Sequence, residues 1–103
     1  MISIKNGLYY HYKHNPEGEI NNYAYEVIGT GLHTEDGTHF VIYRPLYIST
    51  FLGSAGYYIR PYEMFIGNVE INGKLVKRFE KIEDEDLLTK LDRIKREMYG
   101  EDE

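Results

Sequence analysis

Tyr57-Tyr58-Ile59-Arg60-Pro61-Tyr62-Glu63-Met64-Phe65 sets four aromatic residues, an arginine, a glutamate and a proline within nine positions. Tyr57 to Ile59 are aromatic or β-branched and suit a half-buried pleated surface, whereas Pro61 donates no ladder hydrogen bond, so a strand is predicted to stop near Arg60. Pro61 pushes Arg60 toward extended geometry and fixes its own φ near that of a turn, which makes 61–65 a tight corner or a single 3₁₀ turn. Beyond the corner, Phe65, Gly67, Val69 and Ile71 alternate with Ile66, Asn68 and Glu70. Asn72-Gly73 follows, the strongest short hairpin signal a sequence offers, and Leu75 to Phe79 is its predicted return strand.

Upstream, Gly7 to His14 is the first strand candidate, with Leu8, Tyr10 and Tyr12 on one face and Tyr9, His11 and Lys13 on the other. Asn15-Pro16-Glu17-Gly18-Glu19 is a loop by its turn residues. Tyr23 to Leu32 resumes the extended pattern, and Gly29 and Gly31 inside it predict a bulge or a barrel corner. Asp36-Gly37 takes left-handed geometry readily and closes a hairpin onto Thr38 to Arg44, which Pro45 ends. Ile48 to Gly56 holds Gly53, Ser54, Ala55 and Gly56 beside Phe51 and Leu52, and is predicted to be the least ordered internal segment.

The period then changes. Leu87, Leu91, Ile94 and Met98 recur at i, i+4, i+7 and i+11, the stripe of one amphipathic helix. Asp84 is its predicted N-cap, Glu85 and Asp86 suit the positive helix start, Lys95 and Arg96 suit the other end, and Gly100 stops it. The pattern predicts a mainly β fold: a small antiparallel SH3-like barrel of five to six strands over residues 1–82, with a C-terminal α-helix and acidic tail over 83–103. The helix stripe must be buried either on the barrel or on a second chain.

The 103 residues suffice for one domain that buries about two-thirds of the surface its unfolded chain exposes. The net charge of -5 lies wholly in the tail. Residues 1–82 hold eight basic and eight acidic side chains, while 83–103 hold four and nine. The body therefore does not repel an anion, yet it lacks the basic footprint of a dedicated nucleic-acid binder. With no cysteine, there is neither a disulfide framework nor a thiolate site, and no window approaches a membrane span; a cytoplasmic protein without membrane contact is expected.

Several pieces resemble a bacterial family labelled domain of unknown function 1653. They are Gly7-Leu8-Tyr9, His11-Tyr12-Lys13 and Asn15; Tyr25-Glu26-Val27-Ile28-Gly29 with His33; Val41-Ile42-Tyr43-Arg44 with Leu46-Tyr47; and Ile59-Arg60-Pro61, Glu63-Met64-Phe65, Val69-Glu70-Ile71, Gly73 and Arg78-Phe79. The resemblance implies an SH3-like barrel from about Gly7 to Phe79 and leaves activity open. His14 replaces a usual glycine, Pro45 a usual alanine and Lys77 a usual proline, and 48–56 is longer than the common linker.

Tyr43-Arg44-Pro45-Leu46-Tyr47 and Tyr58-Ile59-Arg60-Pro61-Tyr62 each put an arginine at a strand end among aromatics. Arg44 and Arg60 are therefore expected to converge on an anionic group, guanidinium being a bidentate fork that also stacks on tyrosine. The competing arrangement pairs Arg44 with Glu63 or Glu26 to lock the corner. The expected binding set is His11, Tyr12, Lys13, Arg44, Arg60 and Glu63, with a small anionic ligand or a peptide as partner. Lys74, Lys77, Arg78 and Lys81 offer a second anion-facing group around the last hairpin, although alternate charge on an exposed strand is usually a solvated face. The four histidines have no metal-ligand spacing, no serine has a nucleophile elbow, and no phosphate-cradling glycine loop occurs, so no metal, no cofactor and no catalytic residue is expected. Assembly of copies through Leu87, Leu91, Ile94 and Met98 is the alternative, and weak single-stranded nucleic-acid binding the third.

Overall fold

The computed structural model describes residues 3–48 and 56–100, and its elements follow the turn chemistry closely. Strands β1 (Gly7–His11), β2 (Ala24–Leu32), β3 (His39–Pro45) and β4 (Tyr58–Pro61) come first. A helical turn α1 (Tyr62–Ile66), strands β5 (Asn68–Ile71), β6 (Lys74–Lys77) and β7 (Phe79–Lys81), and helix α2 (Glu85–Tyr99) complete the chain. Asn72 and Gly73 both have positive φ, 52° and 81°, as a two-residue β5–β6 turn requires. Gly37 at φ 77° closes β2 onto β3, with the Thr38 amide held by the Asp36 carboxylate at 2.9 Å. The β2–β3 register shifts between Val27 and Gly29, which is the bulge that Gly29 signals.

All pairing is antiparallel. One sheet runs β4-β3-β2-β1-β7, and β5-β6 stand apart as a two-stranded hairpin. The predicted return strand over 75–79 is split because Arg78 leaves it. The Arg78 amide donates to Gly67 O and its carbonyl accepts from Tyr12 N, so the chain passes from the hairpin to β1 at that residue. Among the described residues there are seven strands instead of five or six, and β4 and β7, the outer strands of the five, do not pair, so this sheet is open. The tight corner or 3₁₀ turn expected over 61–65 is present as one turn of α-helix that starts after Pro61.

Both faces of the sheet are covered. Tyr9, Tyr25, Val27, Val41 and Tyr43 pack with Phe65 of α1 and Phe79. Leu8, Ala24, Leu46, Ile82 and Leu91 form a second cluster, joined by Leu87, Leu88, Ile94 and Tyr99. The α2 stripe is thus seated on its own sheet, with Leu91 fully buried, and assembly through that stripe would have to lift it off. Ile82 and Leu91 share this cluster although the predicted boundary falls between them. Asp84 caps α2 by accepting the Leu87 amide at 3.0 Å, and Gly100 ends it at φ 81°. Among the described residues no helix is long and apolar enough to cross a membrane. Most of the segment predicted to be least ordered, 48–56, lies outside the described residues.

Candidate functional site

His11 ends β1, and its backbone is fixed on both sides: its amide donates to Tyr23 O at 2.9 Å, and the next amide, of Tyr12, donates to Arg78 O at 2.9 Å. Tyr23 reaches that position with φ 55°, a left-handed turn residue. The imidazole lies beside the Tyr12 ring (4.5 Å between centroids), stacks on Tyr23 (5.6 Å) and meets the Phe79 ring edge-on at 5.0 Å. Its Nδ1 accepts the Lys13 amide at 3.2 Å, which requires that nitrogen to be unprotonated.

Arg60 rests on the same Phe79 ring, its guanidinium carbon 5.4 Å from the centroid, and its Nε donates to Tyr43 Oη at 3.1 Å. Arg78, half-buried, donates from Nε to Met64 O at 3.0 Å. Among the described residues no carboxylate lies within 4.0 Å of Arg60, Arg78 or Lys13; the ion pairs of the molecule are elsewhere. Burial, followed by Arg60, Lys13 and Arg78, lowers the His11 pKa from 6.5 to about 4. Three positive charges thus act on this imidazole, and among the described residues none of them is held in an ion pair.

The lowered value fixes a pH dependence. Between about pH 6.5 and 4 the unfolded chain binds the His11 proton and the folded one does not, so stability rises with pH across that window. The penalty for protonating folded His11 is absent above about pH 6.5, grows as pH falls and is complete below about 4. His11→Asn, whose side-chain oxygen can still accept the Lys13 amide, is expected to flatten the dependence of Tm on pH between 6.5 and 4. An unchanged slope would mean that another group carries it.

A groove of about 600 Å³ opens at the end of β1. Tyr10, His11, Tyr12, Lys13 and His14 border it on one side, Ile71, Val76 and Lys77 of the hairpin on the other, and Glu80 is its one acid. The Tyr10 and His14 rings stack at 3.6 Å, and His14 Nδ1 is 2.7 Å from Asn22 O, so His14 is a structural wall. Most tyrosine hydroxyls are satisfied, Tyr9 on Lys5 O, Tyr10 on Ile20 O, Tyr25 on Tyr47 and Tyr99 on Pro45 O. Tyr58 Oη, beside Arg60 in sequence, is buried with no hydrogen-bond partner.

Of the six predicted binding residues, His11, Tyr12 and Lys13 border the groove, and Arg60 joins them through Phe79. Arg44 does not. Its Nε bonds Glu26 Oε1 at 2.9 Å with both side chains mostly buried (13% and 16% exposed), Lys95 reaches Glu26 at 3.4 Å, and the guanidinium carbon sits 3.9 Å over the Tyr99 ring. The expectation that Arg44 and Arg60 share one hollow is corrected by strand register. Arg60 pairs with Val41 and so shares the Val41–Tyr43 face, while Arg44 is odd to that pair and points to the α2 face. Glu63 is exposed in the first turn of α1 and pairs with neither arginine. Sequence reasoning placed Arg78 in the basic group of the last hairpin and missed it as a neighbour of His11, which only the β1–β7 pairing brings about. Among the described residues no three metal-ligating side chains cluster.

A family model described as Protein of unknown function (DUF1653) matches residues 7–81. No curated protein and no solved structure gave a match.

Proposed function

We propose, for a chain that belongs to the DUF1653 family, a binding module that takes an anionic ligand at the end of β1. The observation that carries this reading is the convergence of Arg60, Lys13 and Arg78 on His11 with no carboxylate, among the described residues, within ion-pair reach of any of the three. A half-buried guanidinium without a counter-charge is costly and is more often paired, so an anion from outside would supply the missing partner. Arg60 has its Nε engaged by Tyr43, which leaves the two terminal amino groups for a carboxylate or phosphate oxygen pair. His11, Tyr12 and Lys13 continue that surface into the groove. The architecture we infer for the β part is an opened SH3-like barrel, supported by the β1 to β4 meander and the helical turn at Pro61. A cytoplasmic setting accords with the absence of cysteine.

A titration with inorganic phosphate, followed by backbone amide NMR shifts, tests the reading. Shifts should concentrate at His11, Tyr12, Lys13 and Arg60. Arg60→Ala is expected to weaken the interaction roughly ten- to hundred-fold, the value of a charge-assisted pair of about 1.5–3 kcal/mol. Arg44→Lys should leave it unchanged, since Arg44 faces α2. Shifts scattered over the surface, or an Arg60→Ala variant that binds like the parent, would refute the site.

A further inference from the structure

We propose that the groove takes an acidic peptide in extended conformation, added as a strand to the open edge of β6. The inference rests on the anion-binding reading above and names the partner.

The first support is backbone accounting. The two-residue turn at Asn72-Gly73 makes Ile71 and Lys74 a hydrogen-bonded closing pair, and bonded pairs in an antiparallel ladder recur every second residue. Val69–Val76 is the next, and the Arg78 amide bonded to Gly67 O at 3.0 Å is the one after, so the alternation is observed at its far end. Lys74 and Val76 therefore turn their backbone groups toward β5. Leu75 and Lys77 turn theirs outward, where no third strand lies among the described residues.

The second support is where the groove runs. Val76 and Lys77 point to opposite faces of β6, yet both border it, so it reaches round the strand's edge from the face that Val76 shares with Ile71. On its far side β1 departs after Tyr12, leaving a wedge along β6. Four residues of β6 span roughly 13 Å at about 3.3 Å each, room for a short strand.

Side chains select the occupant. Leu75 is 72% exposed, Ile71 40% and Val76 36%, apolar surface that a strand laid along the edge would cover. Lys13 and Lys77 border the groove, Arg60 and Arg78 add their charge at His11, and Glu80 is the one acid in its lining. An added strand alternates its side chains, so acidic residues would meet the lysines while apolar ones meet Ile71 and Val76.

Fluorescence anisotropy with a labelled hexapeptide alternating glutamate and valine is the test, beside a lysine and valine counterpart. The acidic peptide should bind at least ten-fold tighter. Leu75→Pro removes an outward amide but no ladder bond, and should weaken peptide binding at least ten-fold while leaving inorganic phosphate binding as in the parent. The double variant Lys13→Glu with Lys77→Glu, which leaves the backbone intact, should reverse the preference between the two peptides. Equal binding of both peptides, peptide binding that survives Leu75→Pro in a protein with parental circular dichroism, or tighter capture of a six-nucleotide oligothymidylate would overturn the proposal. Phosphate binding without peptide binding would overturn the peptide alone; loss of both in the parent would overturn the anion site with it.

Discussion

Phe65→Ala is expected to cost about 3–5 kcal/mol of stability and to lower Tm by at least about 12 °C, the range for an aromatic ring deleted from a closed core. Phe65 is 1% exposed. Its ring stacks on Phe79 at 4.0 Å and 5° and meets Tyr43 and Tyr9 edge-on at 5.3 and 5.7 Å, so its removal strips partners from three other rings. Helix α1 has five residues, too few to hold themselves together without this anchor. Phe65 also seats Phe79, on which both His11 and Arg60 rest. The variant should therefore lose phosphate binding along with stability, whereas Phe65→Leu should restore most of both. Thermal denaturation by circular dichroism reads the effect, and a loss below about 1 kcal/mol would show that the ring is not a core member.

Local chemistry was legible where a residue type has one inexpensive solution. Asn72-Gly73, Asp36-Gly37, the bulge at Gly29, the corner at Pro61 and the cap at Asp84 each appear where the sequence puts them, because positive φ, a missing amide or a short acidic side chain admits few alternatives. The placement of Arg44 was not legible. The two Tyr and Arg phrases look alike, but a side chain's face depends on register with the neighbouring strand, and β3 carries apolar residues on both faces, Val41 and Tyr43 buried on one and Phe40 and Ile42 half-buried on the other, so they do not announce which face is which. Glu26, 18 residues away in sequence, was one of two candidate partners, and only the β2–β3 register sets it opposite Arg44. The break at Arg78 was hidden for a similar reason: nothing in Leu75 to Phe79 interrupts strand propensity, and the split arises because the Arg78 amide donates to Gly67 O on the hairpin side while its carbonyl accepts the Tyr12 amide on the β1 side.

A chain truncated after Ile82 is expected not to fold cooperatively, a larger effect than any single substitution. The apolar stripe of 83–103 could have been an interface added to a self-sufficient barrel, and in that case the truncated barrel would stay folded. The packing argues otherwise. Leu91 is fully buried against the cluster of Leu8, Ala24, Leu46 and Ile82, and Leu91→Ala alone is worth about 2–5 kcal/mol against the 5–15 kcal/mol that holds a typical domain together. Removing α2 would uncover that whole face at once. It would also take Lys95 from Glu26, the Tyr99 ring from Arg44 and the Tyr99 hydroxyl from Pro45 O, leaving the Glu26–Arg44 pair to solvent. The truncated chain should give poorly dispersed amide NMR shifts and no sharp thermal transition, and a separately added peptide of residues 83–100 should recover part of both. A sharp transition within a few degrees of the parent's would mean that the sheet holds its second face without the helix, and would return the stripe to the role of an interface.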